Sequence, residues 1–273
     1  MTACTASLTH LDPQSRLLVR SILLFFGRFI KVDNDAPVIN TPDPVIFIFN
    51  HNNYWENLLV VAYLLAHRPG KKLAFISDWM FGRLPLFRWL LNRVDPIYTY
   101  TKKARFAFLN RYQQKADGES VCQACLARLH NRQSLGIFPE GTRNSHPHLL
   151  RRGRRGLGEI VLRSREPVLP AGINFPHSKR NGRIPRVSPL RLKFGQPRTF
   201  PELSAAYQAV TQDDRLTTRE RQRLHLFLSA TVTHSLMLEL SRLCGKEYLF
   251  PPPPQSPQVQ RYLENFSEKG ALL

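Results

Sequence analysis

A chain of 273 residues with a net charge of +19 and four cysteines has room for one large domain or two small ones, and its cysteines are too few and too scattered for a disulfide scaffold. No apolar run approaches the roughly 18 residues of a membrane-spanning helix. The opening MTACTASLTHLD also lacks the charged region and cleavage site of a signal peptide. The sparse cysteines favour a reduced, cytosol-facing compartment.

The charge is concentrated. Residues 71–198 hold 26 basic against seven acidic side chains, while residues 1–70 have five of each and residues 199–273 eight of each. A basic block of this kind expects an anionic partner: nucleic acid, lipid headgroups or phosphorylated small molecules.

In chain order, residues 13–31 come first. Leu17, Leu18, Ile22, Phe25, Phe26 and Phe29 recur at helical spacing, with Arg16, Arg20, Arg28 and Lys31 at other positions. The pattern predicts an amphipathic helix that lies in a membrane interface or packs on the protein's own core. Apolar, β-rich runs follow at 45–50, 73–77, 97–101, 135–139, 168–175 and 190–195. Helical stretches fall between them at 54–67, 80–92, 103–115, 119–132 and 155–165, with a further amphipathic helix at 219–243. Strands alternating with helices predict an α/β fold: a mixed, mainly parallel sheet with helices on both faces. Residues 176–189 read as a basic surface loop, and the PPPP at 251–254 begins an extended linker and peripheral tail. The expected organisation is an N-terminal amphipathic, membrane-facing segment over 1–40, a core over 41–200, a helical continuation over 201–250 and a tail over 251–273.

Two stretches carry chemistry. In FIFNHNNYWENLLVVAYLL, residues 47–65, a buried strand becomes a buried helix across Asn50, His51, Asn52 and Asn53, with Glu56 one turn later. Helix capping explains an Asn and the acidic first turn, but not the His. A neutral imidazole suits a general base because its pKa lies near the working pH. A carboxylate accepting from Nδ1 would fix the tautomer that leaves Nε2 to take a proton. His51 and Glu56 have the types and spacing for that pair. The second stretch is LGIFPEGTRNS, residues 135–145, where a strand ends and Glu140, Thr142 and Arg143 flank a turn at Gly141. Ligands of parallel sheets gather beyond the carboxyl ends of strands, which is where both stretches lie.

NHNNYWE followed by FPEGTR resembles the glycerolphosphate and lysophospholipid acyltransferase family, which carries an Asn-His-x4-Asp block and a Phe-Pro-Glu-Gly-Thr-Arg-Ser block. Here Glu56 stands for the Asp and Asn144 for the Ser. The likeness covers roughly residues 40 to 200. It implies an O-acyltransferase with no cofactor and no metal. A fatty acyl chain would pass from acyl-CoA or acyl carrier protein to a lysophospholipid, by default lysophosphatidic acid to phosphatidic acid. It implies His51 and Glu56 as the catalytic pair, and Glu140, Gly141, Thr142 and Arg143 as acceptor-binding residues. The family's intermediate block supplies an Arg after a Gly-containing turn; Asn92–Tyr100 lacks that pattern, and Lys102 and Lys103, which come slightly late, are the substrate-binding candidates there. An aminolipid or glycolipid acceptor stays open, as does a non-catalytic basic protein that binds membranes or nucleic acid.

The expected partners are a membrane lipid surface and the acyl carrier, with nucleic acid disfavoured. The expected location is peripheral, on the cytoplasmic face of the cell membrane. The basic run LLRRGRRGLGE, residues 149–159, would meet headgroups or donor phosphates. Cys122 and Cys125 form a lone C-x-x-C that reads as helix interior, and His146 and His148 read as loop residues.

Overall fold

The computed structural model describes residues 8, 11–68, 73–78, 94–100, 118–176, 184 and 188–266. The helices expected at 80–92 and 103–115, Lys102 and Lys103, and most of the basic loop at 176–189 lie outside the described residues. Seven strands form one sheet in the order β1-β7-β6-β2-β5-β3-β4. They are β1 (Ile30–Asp33), β2 (Ile46–Phe49), β3 (Leu73–Asp78), β4 (Asp95–Thr99), β5 (Ser134–Ile137), β6 (Val168–Asn174) and β7 (Leu190–Phe194). Every neighbouring pair is parallel except β6–β7. The expected mixed, mainly parallel α/β sheet is present.

β2, IFIF, is buried at all four positions because helices cover both faces of the sheet. Its alternation divides the core. Phe47 and Phe49 join the apolar cluster built with α1 (Pro13–Phe26) and α3 (Tyr54–His67). Ile46 and Ile48 face the other cluster, built with α4 (Gly118–His130), α5 (Gly156–Ser164), α6 (Pro201–Gln212) and α7 (Thr218–Cys244). Short α2 (Ala36–Asn40) leads into β2, and the chain's last described helix, α8 (Pro257–Phe266), buries Val259 in the second cluster.

This division positions the site. β2 and β5 are adjacent and parallel, yet the helix after β2 packs on one face and the helix after β5 on the other. Where neighbouring strands send their chains to opposite faces, a crevice opens at their carboxyl ends.

The N-terminal helix is shorter than its pattern suggested. Asp12 caps it by accepting from the amides of Gln14 and Ser15, and it gives way at Gly27 to a 3-10 turn and then β1. It buries Ser15, Val19 and Ile22 while Leu17, Leu24 and Phe25 stay 69%, 69% and 62% exposed. One helix thus has a core face and an outward apolar face. Among the described residues, no helix is long and apolar enough to cross a membrane.

Candidate active site

β2 runs directly into the first chemical block. Asn50 continues the sheet with its side chain: Nδ2 donates to the Ile173 carbonyl at 2.9 Å and Oδ1 accepts from the Ile173 amide at 2.6 Å. That clamp to β6 fixes where the chain leaves the sheet. Asn53 then caps α3, its Oδ1 accepting from the Glu56 amide at 3.1 Å. Between the clamp and the cap, His51 is held over the crevice with its side chain 14% exposed.

Glu56 returns from the first turn of α3 to meet the ring. Its Oε1 lies 2.8 Å from His51 Nδ1 and also accepts from the Asn52 amide at 2.5 Å, while Oε2 accepts from Asn52 Nδ2 at 2.9 Å. A fully buried carboxylate is tolerated only with its lone pairs satisfied, and three donors do that here. A carboxylate facing Nδ1 selects the Nδ1–H tautomer and leaves Nε2 as the ring's acceptor. Phe138, from the strand end next door, lies against the imidazole with ring centroids 4.4 Å apart.

The second block is hydrogen-bonded to the first. Glu140 Oε1 accepts from the His51 amide at 3.0 Å, and the Asn144 amide donates to the His51 carbonyl at 2.7 Å. Glu140 Oε2 accepts from Asn144 Nδ2 at 3.0 Å and from the Arg151 amide at 2.9 Å. Glu140 is 1% exposed, and burial pushes its carboxyl above the usual range against the pull of these donors. Both oxygens are therefore occupied by protein donors. The carboxylate expected to help bind an acceptor is hydrogen-bonded to the backbone that carries His51.

Gly141 is exposed at the mouth with φ +64°, a left-handed conformation that a side chain would strain. Its amide donates to the Phe138 carbonyl at 2.9 Å, closing the turn. Thr142 and Arg143 follow it, both half-buried, and burial lowers the Arg143 guanidinium pKa from its ordinary value. The Arg154 amide donates to the Pro139 carbonyl at 2.8 Å, so the basic run is anchored to the same block. Arg151, Arg152, Arg154 and Arg155 are all exposed beside it.

The family model described as Acyltransferase matches residues 30–174, more than half of the chain. The chain belongs to the acyltransferase family. No curated protein matches it. Among solved structures, the 1-acyl-sn-glycerophosphate (LPA) acyltransferase PlsC from Thermotoga maritima is similar over 83% of this chain and 78% of that chain, with 15% identity and a TM-score of 0.48.

Three residues of this acyltransferase's site had no role in the sequence reading. Asn52 supplies two of Glu56's three donors. Asn144, where the family block has Ser, has the reach to bridge Glu140 and the Leu149 carbonyl, the latter at 2.7 Å. Lys246 is 4% exposed and comes from the chain beyond α7, outside the matched region. Its Nζ donates to Asn52 Oδ1 at 2.5 Å and to the His146 carbonyl at 2.8 Å. The asparagines belong to motifs whose spacing could have flagged them. A single Lys 194 positions from its partner leaves no local signal.

Of the other candidates, the cysteines belong to the core. Cys122 and Cys125 are buried on α4, their thiols both pushed up to about 12 by burial. No group of three or more His, Cys, Asp or Glu with metal-holding geometry occurs among the described residues. A shallow cavity lined by Asn34, Pro37, Thr41 and Pro167 lies at the opposite end of the sheet, by the amino ends of β2 and β6.

Proposed function

We propose that this acyltransferase moves a fatty acyl chain from acyl-CoA or acyl carrier protein to the hydroxyl of a lysophospholipid, with lysophosphatidic acid giving phosphatidic acid as the default pair. The observation that carries the reading is the 2.8 Å contact between His51 Nδ1 and Glu56 Oε1 at the mouth of a strand-end crevice. As the acceptor oxygen attacks the thioester carbonyl, its proton moves to Nε2 of His51. Nδ1–H stays on Glu56, whose negative charge stabilises the imidazolium that forms. Collapse of the tetrahedral intermediate breaks the C–S bond, and the departing thiolate takes the proton from His51. The ester is complete without a covalent acyl-enzyme.

Arg143 and the four exposed arginines at 151–155 offer the acceptor phosphate and the donor's phosphates a cationic rim. Gly141 and Thr142 shape the turn from which Arg143 extends, and Lys102 and Lys103 are proposed to add charge for the substrate. The outward apolar face of α1, with exposed Arg20 and Arg28, suits a helix that dips into a headgroup layer. The enzyme then works as a peripheral protein on the cytoplasmic face of the cell membrane.

A second acceptor class is favoured by one observation: Asn92–Tyr100 has no Gly-turn Arg, so an aminolipid or glycolipid without a terminal phosphate is the alternative. A purely membrane- or nucleic-acid-binding role would give no reason for the two blocks to be hydrogen-bonded across the crevice. The deciding experiment incubates purified protein with mixed lysolipids and labelled acyl donors, then identifies products by mass. A labelled phosphatidic acid supports the default, an acylated aminolipid or glycolipid supports the alternative, and no acylated lipid of any kind refutes both.

A further inference from the structure

Lys246 is a buried ammonium in a site whose proposed chemistry makes no use of it. We propose that Lys246 is a positioning residue that sets the catalytic His51–Glu56 pair by keying the orientation of the Asn52 side-chain amide. The inference rests on the general-base reading above and adds a residue from outside the matched region.

The geometry is a four-residue chain. Lys246 Nζ donates to Asn52 Oδ1, Asn52 Nδ2 donates to Glu56 Oε2, and Glu56 Oε1 faces His51 Nδ1. An asparagine amide can be turned either way in a pocket of its shape, but an ammonium has three donors and no acceptor. Whatever faces Lys246 must be the amide oxygen, and the NH2 group is then directed at Glu56. A flipped Asn52 would set its NH2 against the ammonium and its oxygen against the carboxylate, both repulsive. Lys246, reinforced by a long 3.4 Å donation from Asn50 Nδ2 to the same oxygen, thus disfavours the one alternative that would push Glu56 off the imidazole.

The ammonium also answers a charge problem. Glu56 and Glu140 are 0% and 1% exposed, and two buried carboxylates need nearby positive charge. Burial lowers the Lys246 pKa, while Cys244, Glu140 and Glu56 draw it upward again.

The backbone is built to hold the lysine there. Gly245 ends α7 in the left-handed conformation and turns the chain towards the site. Ser241 Oγ donates to the Lys246 carbonyl at 2.5 Å. The next residue is pinned on both sides: the Glu247 amide donates to the His148 carbonyl at 2.7 Å, and its carbonyl accepts from the Leu150 amide at 2.9 Å. On β6, a Cβ at Gly172 would lie 2.4 Å from the backbone of Leu243 and Cys244, so the end of α7 approaches the sheet as closely as glycine permits.

The test measures steady-state kinetics of wild type, His51→Ala, Lys246→Met, Asn52→Ala and the Lys246→Met/Asn52→Ala double variant, normalised to folded protein. Lys246→Met should lower kcat about 10- to 100-fold with KM for donor and acceptor nearly unchanged, the signature of a misplaced catalytic group. In the Asn52→Ala background it should cost nothing further, because the lysine acts through that amide. Nitrogen-15 NMR of the imidazoles, with the His51 signal identified by its loss in His51→Gln, should show the Nδ1–H tautomer in wild type and a mixture in Lys246→Met. If Lys246→Met does not fold, Asn52→Asp carries the test: it keeps an acceptor for the lysine but replaces the side-chain donor to Glu56 Oε2 with a carboxylate oxygen, so kcat should fall at constant KM. Wild-type kcat in folded Lys246→Met or Asn52→Asp, or losses that multiply in the double variant, would overturn the proposal. Wild-type turnover by His51→Ala would sink the general-base reading itself, whereas an inactive His51→Ala beside a fully active Lys246→Met sinks only the role of Lys246.

Discussion

Replacing Glu56 perturbs the site at the position where this chain departs from the Asp of its family. In Glu56→Gln the best fit keeps the amide oxygen at Oε1, where it accepts from His51 Nδ1 and the Asn52 amide, now 2.8 and 2.5 Å away. The new NH2 group then faces Asn52 Nδ2, a donor at 2.9 Å. Turning Asn52 over does not help, because its other end meets the Lys246 ammonium. The imidazolium formed during transfer also loses its counter-charge. Neutralising a carboxylate in the corresponding place of a catalytic triad costs about 10⁴-fold in kcat, or about 5.4 kcal/mol, and a loss of about 10³- to 10⁴-fold is expected here. Glu56→Asp retains the charge but withdraws the carboxylate by about one C–C bond, roughly 1.5 Å. The 2.8 Å contact would open to about 4.3 Å, beyond hydrogen-bond range, at a cost of about 10²-fold. The assay is steady-state acyl transfer to lysolipid at saturating donor, with circular dichroism confirming the fold. Turnover in Glu56→Asp equal to or above wild type would show that the site is not shaped around the longer acid, and an active Glu56→Gln would remove the pair from the mechanism.

Arg143→Ala should raise KM for a phosphate-bearing acceptor by about 10-fold or more, with Arg143→Lys only a partial substitute because it cannot bind in bidentate fashion; unchanged acceptor KM contradicts the assignment. The double substitution Leu24→Glu/Phe25→Glu should weaken co-sedimentation with anionic vesicles while shifting Tm by no more than about 2 °C, since both side chains are more than 60% exposed. Undiminished vesicle binding would remove the outward face of α1 from the membrane account. Cys122 and Cys125, with thiols pushed up to about 12, should resist iodoacetamide at neutral pH in the native protein and react on unfolding. Rapid native labelling at both would place them nearer solvent than the fold does.

Much of the architecture was legible because strands covered on both faces write an unbroken apolar run, as in β2 and β6. β1 was not, for the opposite reason: it is a four-residue edge strand with no fully buried position, and its IKVD continues a helix-like pattern that Gly27 interrupts. The His51–Glu56 contact could be anticipated from spacing, since a residue just before a helix and one in its first turn lie close together. The hydrogen bonds of Glu140 could not, because they depend on Asn144 and on Arg151, 11 positions away. Lys246 was the least legible. Its burial depends on where α7 ends against Gly172, and no periodicity within one helix encodes that crossing.

The central claim is that His51 removes the acceptor proton. Its most direct test is turnover of folded His51→Ala with acyl donor and lysolipid under conditions where wild type is saturated. The account predicts a fall of about 10²- to 10⁴-fold, the range for losing a positioned base, with both substrates still bound. Wild-type turnover in that variant would contradict it.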